Sequence, residues 1–170
     1  MTDRLESAAI HVRPAVSADL EDVRQVLVET WHDTYDPLLG RDRVTEITGR
    51  WHSVPALAAQ LGAGDTAFLV AEAEGRIVGH AFVDFRRPPV ARLMRLYVLP
   101  AWQRRGIGAR LLAVGPEMRA GIECVALDVE ADNAKAVNFY RGQGFVVVGR
   151  SSTEGLECLQ MELARRPPEP

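Results

Sequence analysis

The stretch that decides the fold reads LMRLYVLPAWQRRGIGARLL and runs from Leu93 to Leu112. Its first half is apolar, as expected of a strand, and its second half has the apolar spacing of a helix. A short cationic turn that contains Gly106 and Gly108 joins the two halves. Glycines let the backbone approach an anion closely, and the start of a helix presents free N–H groups and the positive end of its dipole. The stretch therefore predicts a phosphorylated ligand.

A dinucleotide-binding loop is one alternative for this turn. Such a loop needs G-x-G-x-x-G directly after a strand and an acidic residue about 20 residues later. Gly106, Gly108 and Asp128 satisfy part of that pattern. The third glycine position, however, holds Leu111, and the turn does not follow directly on Val98, where the strand ends. A nucleotide-dependent oxidoreductase is therefore a weaker alternative, and a P-loop is excluded because no Gly-Lys-Ser/Thr follows.

A second strand–helix unit follows later in the chain. Residues 125–133 read as a strand that ends in a polar turn, and Asp132 or Asn133 is placed to cap the next helix. Gly144 is expected to end that helix in the left-handed conformation. The run from Asn133 to Phe145 has the form N-x-x-A-x-x-F-Y-x-x-x-G-F.

Together the two motifs resemble the GCN5-related N-acetyltransferase superfamily. Its members carry Q/R-x-x-G-x-G/A in the loop, as in QRRGIG at residues 103–108, and the second motif follows in the same order. The resemblance spans roughly residues 10–163, with its specific content in residues 93–145. It implies a single α/β domain whose mixed, mostly antiparallel sheet has about seven strands, helices on both faces and a splayed parallel pair formed by strands four and five. It also implies an N-acetyltransferase that uses acetyl-CoA as co-substrate and no metal, with a non-catalytic acyl-CoA-binding module as the alternative.

The resemblance also implies where acetyl-CoA binds. The backbone of Leu96 and Val98 would hold pantetheine, the Val98 N–H would polarise the thioester carbonyl, and Asn133 would bind the CoA arm. The loop residues expected to bind the cofactor, most of them through its pyrophosphate, are Gln103, Arg104, Arg105, Gly106, Ile107, Gly108 and Ala109.

Tyr140 takes the place of the superfamily's general acid. A thiol has a pKa of ~8.5 and tyrosine ~10, so full proton transfer is uphill by about 1.5 units, or roughly 2 kcal/mol. We therefore expect partial transfer or a strong hydrogen bond to the leaving thiolate. The alternative is that Tyr140 only packs its helix onto the sheet, although the neighbouring Phe139 is the better candidate for the core.

The general base is harder to assign. Some members carry a glutamate on the fourth strand where this chain has Arg92, which cannot accept a proton. Asp128 matches the base position of ribosomal-protein alanine acetyltransferases, with Glu130 as a weaker candidate and a supporting role for Asp128 equally compatible with the sequence. An ordinary aspartate at ~3.9 is mismatched to a lysine-type amine by about 6.5 pKa units, and to a terminal α-amine by about 4. A raised aspartate pKa, a water relay or an amine that arrives neutral would close the gap.

The acceptor is expected to be a small-molecule amine or a peptide N-terminus. Residues 31–36 read WHDTYD and mix aromatic and acidic side chains, as an amine pocket does. Trp31 and Tyr35 are the candidate acceptor-binding residues, although Trp31 fits a position in the core equally well.

Composition sets the remaining limits. The chain has 170 residues and a formal net charge of −3, so we expect one domain at residues 10–163 between tails at 1–9 and 164–170. No apolar run approaches the roughly 18 residues of a membrane span, and no global field attracts nucleic acid, so neither is an expected partner. Cys124 and Cys158 read as reduced core residues of a cytoplasmic protein. A homodimer is left open.

Other elements follow from periodicity and helix-breaking residues. A helix capped by Ser17 is predicted to run to about Trp31, and further helices are predicted to be interrupted near Pro37 and Pro55. The helix after the cationic turn should kink or end at Pro116, which has no N–H to donate. The other predicted strands span residues 10–13, 66–73, 76–86, 145–151 and 156–163, with the second and third joined as a hairpin.

Overall fold

The computed structural model describes residues 9–165, in which seven strands form one sheet. The strands are β1 (Ile10–Pro14), β2 (Thr66–Ala73), β3 (Arg76–Arg87), β4 (Val90–Val98), β5 (Cys124–Glu130), β6 (Val146–Thr153) and β7 (Leu156–Ala164). The helices are α1 (Leu20–Leu39), α2 (Arg41–Trp51), α3 (Val54–Leu61), α4 (Ile107–Glu117) and α5 (Ala134–Gly142). Short 3-10 turns at Ser17–Asp19 and Pro100–Trp102 precede α1 and follow β4.

The sheet has the order β1-β2-β3-β4-β5-β7-β6, and β4 and β5 are its parallel pair. The other neighbouring strands run antiparallel. The parallel pairing covers only Val90–Arg92 of β4, opposite residues 124–126 of β5. Beyond Arg92 the two strands separate, so residues 93–98 of β4 have a free edge toward β5. The predicted mixed sheet with a splayed parallel pair is confirmed.

Helices cover both faces of the sheet, as alternation along β3 shows. A Cβ on Gly79 would lie 3.2 Å from Leu111 of α4, so this face of β3 packs against α4. Phe82 points to the opposite face, where it lines a cavity together with Trp31 of α1 and Trp51 of α2. Among residues 9–165, no helix is long and apolar enough to cross a membrane.

The first helix differs from its prediction at both ends. It does not end near Trp31 or break near Pro37 but continues through Pro37 to Leu39, where a proline near the C-terminus costs only one backbone hydrogen bond. The break lies at Gly40, whose positive φ of 82° leaves the helical conformation. At the start, Ser17 makes no capping hydrogen bond; the Asp19 carboxylate instead accepts the Val16 N–H at 2.8 Å.

The predicted start and end of α5 and the predicted end of α4 are confirmed. The Asn133 side chain caps α5 by accepting the Ala136 N–H at 3.1 Å, and Gly144 follows the helix with a φ of 96°. Helix α4 ends at Glu117, directly after Pro116. The predicted tails lie outside the described residues except for residue 9 and residues 164–165, and Ala164 belongs to β7.

Candidate active site

The separation of β4 and β5 opens a cleft of about 860 Å³, called here the β4–β5 cleft. One wall is the free edge of β4 at residues 93–98, and the other is the end of β5 at residues 127–130. The loop before α4 and residues 135–140 of α5 complete its lining. The lining residues that the sequence predicts for the cofactor are Leu96, Val98, Gln103, Arg104, Gly106, Ile107, Gly108, Ala109 and Asn133.

The loop before α4 has the backbone form of an anion-binding turn. Arg104 and Gly106 both have positive φ, 63° and 76°, and Gly106 directly precedes the helix. The Arg110 N–H donates to the Gly106 carbonyl at 3.1 Å, so the N–H groups of the helix before it have no intrahelical acceptor. A Cβ on Gly108 would lie 3.4 Å from the Phe139 ring, so this ring packs directly beside the first turn of α4.

Side chains around the loop join it to the rest of the cleft. The Gln103 amide donates to the Val98 carbonyl at 2.9 Å and accepts a hydrogen bond from the Lys135 ammonium. Lys135, which sequence reasoning did not single out, thus adds a cation to the cleft from the first turn of α5. Arg105 is placed differently from the other loop residues: its guanidinium lies 4.7 Å from the centre of the Trp102 ring, and it does not line the cleft.

Tyr140 lines the cleft, with 9% of its surface exposed. Burial raises the pKa of its hydroxyl well above the usual value, and the nearby Tyr97 and Glu130 raise it further. The phenol is therefore neutral at any ordinary pH. The expectation that Phe139 is the more buried neighbour is wrong, because α5 turns Tyr140 onto the sheet and leaves Phe139 half-buried against the loop.

Two carboxylates line the cleft from the same face of β5. Asp128 forms an ion pair with Arg92 of β4. Glu130 accepts a hydrogen bond of 2.6 Å from the Tyr35 hydroxyl, which burial keeps in its protonated form by raising its pKa. The structure thus brings Tyr35 to the acidic end of the cleft.

A second cavity of about 530 Å³ adjoins the cleft and is called here the helical cavity. Helices α1–α3 form one side and β4 the other, with the turn between β6 and β7 at its edge. Trp31 lines this cavity rather than the cleft, so the two predicted acceptor residues, Trp31 and Tyr35, lie in neighbouring cavities. The two cavities share Leu93, Met94, Arg95, Tyr97, Asp128 and Glu130 as a common wall.

Arg95 and Tyr97 are wall residues that the sequence did not mark as site residues. Burial raises the pKa of Tyr97 and lowers that of Arg95 to about 10. The signal that could have found them is an arginine and a tyrosine alternating with aliphatic residues in the strand that precedes the glycine turn. Metal-ligand clusters of three or more His, Cys, Asp or Glu do not occur within residues 9–165.

Comparison with known proteins gives consistent matches. The family model described as "Acetyltransferase (GNAT) domain" matches residues 36–165. The aminoglycoside N(6')-acetyltransferase type 1 of Stenotrophomonas maltophilia is 31% identical over 82% of this chain and 88% of its own length. The spermidine N(1)-acetyltransferase of Thermoplasma acidophilum is 27% identical over 82% of this chain and 89% of its own. The crystal structure of the PaiA N-acetyltransferase from Thermoplasma acidophilum, in complex with coenzyme A, superposes with a TM-score of 0.84 and 26% identity over 92% of this chain and 99% of that one.

Proposed function

From the premise that the chain belongs to the GNAT acetyltransferase family, we propose that it transfers the acetyl group of acetyl-CoA to a primary amine by direct attack of the amine on the thioester. The observation that carries this proposal is the β4–β5 cleft, which combines a free strand edge, a helix N-terminus behind a glycine turn and a buried neutral phenol. A relative of the same fold binds coenzyme A.

The residues of the cleft fit acetyl-CoA. The free edge of β4 at Leu96 and Val98 offers backbone groups that an extended pantetheine arm can pair with, as an added strand does. The turn at residues 103–109 offers N–H groups and the helix dipole to the pyrophosphate, and Arg104 and Lys135 add positive charge. Asn133 lines the cleft at the start of α5, which supports its proposed contact with the CoA arm.

Tyr140 is the proton donor in this mechanism. Because its pKa is raised, the phenol stays protonated at neutral pH, and it meets the departing thiolate with a strong hydrogen bond or partial proton transfer, since full transfer to a thiolate is uphill. The burial of the ring among Phe139, Phe145 and the sheet fixes its position, with ring centres 5.2 and 5.5 Å away. The acetyl group moves from sulfur to nitrogen, the attacking amine loses one proton, and the leaving thiolate gains one from the Tyr140 hydroxyl, which solvent then reprotonates.

Asp128 is proposed to collect the proton of the attacking amine, directly or through water, with Glu130 as the alternative. Both carboxylates line the cleft where β4 and β5 diverge. Arg92 engages one oxygen of Asp128 and Tyr35 engages one oxygen of Glu130, so each carboxylate keeps acceptor capacity for an amine or a water.

The test is an amine-panel acetylation assay with detection of the released thiol, alongside calorimetry with acetyl-CoA. We expect binding of acetyl-CoA and thiol release that depends on a particular class of amine. Binding without thiol release on any amine would instead support a non-catalytic acyl-CoA-binding module. Failure to bind acetyl-CoA would overturn both.

A further inference from the structure

Most of the buried side-chain atoms that lack a hydrogen-bond partner in the described part of the chain lie around the helical cavity. Within residues 9–165, buried side-chain nitrogen or oxygen atoms without a hydrogen-bond partner are Trp31 Nε1, His52 Nδ1, Gln60 Oε1, Arg95 Nη2 and Ser151 Oγ. All but the last belong to residues that line this cavity. Trp31 Nε1 lies near enough to the Tyr97 hydroxyl for a weak hydrogen bond. Buried polar groups are nearly always paired, so the other three unpaired groups around this cavity, on His52, Gln60 and Arg95, indicate polar groups that a ligand would satisfy.

Arg95 is the charged member of this set, and its neighbours fix its orientation. His80, which is fully buried, donates from Nδ1 to the Leu69 carbonyl at 2.8 Å. Its Nε2 is therefore the acceptor, and it accepts the Arg95 Nε–H at 3.2 Å. The guanidinium also lies 4.7 Å from the centre of the Phe82 ring. One edge of the fork is thus held by the protein, while Nη2 stays unpaired.

The charges of the cavity wall leave one cation and one anion without an ionic partner. Arg92 pairs with Asp128, and Arg50 pairs with Glu154. Within the described part of the chain, Arg95 has no carboxylate in salt-bridge range, and Glu130 has only the Tyr35 hydroxyl. Both act on the same side chain, since Glu130 raises and Arg95 lowers the pKa of Tyr97. The anion and the cation therefore both lie near Tyr97.

We propose that the helical cavity binds an acceptor that carries a carboxylate as well as the amine, as an amino acid does, and that Arg95 is the residue that selects it. This proposal rests on the function proposed above. The amine lies at Glu130, where the cavity meets the β4–β5 cleft, and the carboxylate accepts from Arg95 Nη2. A guanidinium suits this role because it donates to a carboxylate in fixed geometry.

The rest of the wall indicates the body of the acceptor. Trp31 lies edge-on to Trp51 and to His52, with ring centres 5.9 and 5.5 Å apart, and Phe82 and Leu93 add apolar surface. Burial and the nearby Arg95 lower the pKa of His52 to about 3, so it is neutral and adds no charge. An amino acid with an apolar or aromatic side chain fits this surface. A polyamine or an aminoglycoside would place a positive charge near Arg95, which has no anionic partner.

The first experiment uses the wild-type protein and matched acceptors. Thiol release is measured for the common amino acids, for the carboxamide of each, and for the amine left when the carboxylate is removed, with spermidine and an aminoglycoside as polycationic comparisons. We expect kcat/KM for the best amino acid to exceed that of its carboxamide about 10- to 100-fold, the usual worth of a charged hydrogen bond. The amine of the carboxamide has a lower pKa, so more of it is neutral and ready to attack. This favours the carboxamide and therefore reduces the expected difference in kcat/KM.

The second experiment changes Arg95. Arg95→Met should remove the preference, lowering kcat/KM for the amino acid about 10- to 100-fold and leaving the carboxamide within about threefold, while Arg95→Lys should restore part of it. Arg76→Met is the matched control, since Arg76 is exposed and lines neither cavity. Calorimetry with acetyl-CoA shows whether each variant is folded and binds its cofactor.

The outcomes distinguish carboxylate selection by Arg95 from the acetyltransferase function on which it rests. Equal or better turnover of carboxamides, polyamines or aminoglycosides would overturn carboxylate selection and leave the acetyltransferase function standing. An equal loss with amino acid and carboxamide in Arg95→Met would make Arg95 a structural residue and also overturn it. No turnover of any amino acid by a wild-type protein that binds acetyl-CoA rejects the acceptor class, and no binding of acetyl-CoA rejects the proposed function itself.

Discussion

The β4–β5 cleft and the helical cavity share a wall but are built in opposite ways. The cleft comes from one continuous part of the chain, residues 93–143 together with a few residues of α1, and much of its expected contact with a ligand is made by backbone groups. The helical cavity draws Trp31, His52, Gln60 and Arg95 from separate elements, and the contacts proposed for its ligand are made by side chains. A site built from backbone keeps its ligand when side chains change, whereas a single substitution can give a side-chain site a new ligand. One family can therefore share a cofactor and differ in its acceptors.

The largest expected effect tests the chemistry of the cleft. Tyr140→Phe keeps the buried ring and removes only the hydroxyl, so folding and acetyl-CoA affinity should survive. We expect kcat to fall about 10²–10⁴-fold, the usual worth of a positioned proton donor. Because the hydroxyl serves the leaving thiolate, the loss should be the same for every amine, unlike the loss in Arg95→Met. A fall of less than about threefold when chemistry limits turnover would leave Tyr140 with a packing role alone.

The next effect concerns the two carboxylates in the shared wall. If Asp128 collects the proton of the amine, Asp128→Asn should lower the rate about 10²-fold near neutral pH, and raising the pH toward the amine's own pKa should restore it. With a terminal α-amine as acceptor, a smaller rise in pH should recover the rate than with a lysine-type amine, because the pKa of the α-amine is lower. Glu130→Gln is the matched comparison from the same face of β5. Rate profiles over pH decide between them: an unchanged profile in Asp128→Asn together with the rescue pattern in Glu130→Gln would move the base to Glu130.

The same contrast explains how much the sequence predicts. The cleft can be predicted from the sequence because its glycines, its capping Asn133 and Tyr140 have fixed spacings within two strand–helix units. The structure brings these residues together around one cleft. The helical cavity cannot be predicted in the same way, because no local sequence pattern indicates that Arg95 lines one cavity with His52 and Gln60. The error at Pro37 has the same origin. A local rule ends the helix there, but the burial of Tyr35 and the packing of Val44 and Ile47 of α2 beside it outweigh one lost hydrogen bond.

A smaller effect tests whether the glycine turn is built for a ligand. Gly106 and Gly121 have nearly equal φ, 76° and 77°, and a Cβ on either would meet no atom within 4 Å. An alanine at either position should therefore cost a similar backbone strain, about 1–2 kcal/mol of unfolding free energy. Only Gly106 lines the cleft, so Gly106→Ala should also weaken acetyl-CoA binding about tenfold, while Gly121→Ala should not. Calorimetry that gives both variants the wild-type affinity would show that the turn does not contact the cofactor closely.

The smallest effect concerns the stability cost of the helical cavity. Burial, with Arg95 and Arg24 nearby, lowers the pKa of His52 from 6.5 to about 3, so the folded protein keeps this side chain neutral while the unfolded chain protonates it below about pH 6.5. The contribution of neutral His52 to the free energy of unfolding is complete above pH 6.5, and it is lost as the pH falls toward 3. Between pH 7.5 and 5.5 the loss is about 1.4 kcal/mol. The free energy of unfolding is measured by denaturant unfolding at both pH values. Its drop from pH 7.5 to pH 5.5 should be smaller in His52→Leu than in the wild-type protein, by about that amount. An equal loss in both proteins would mean that His52 is not held neutral, and the cavity around Arg95 would then be more open to water than its burial indicates.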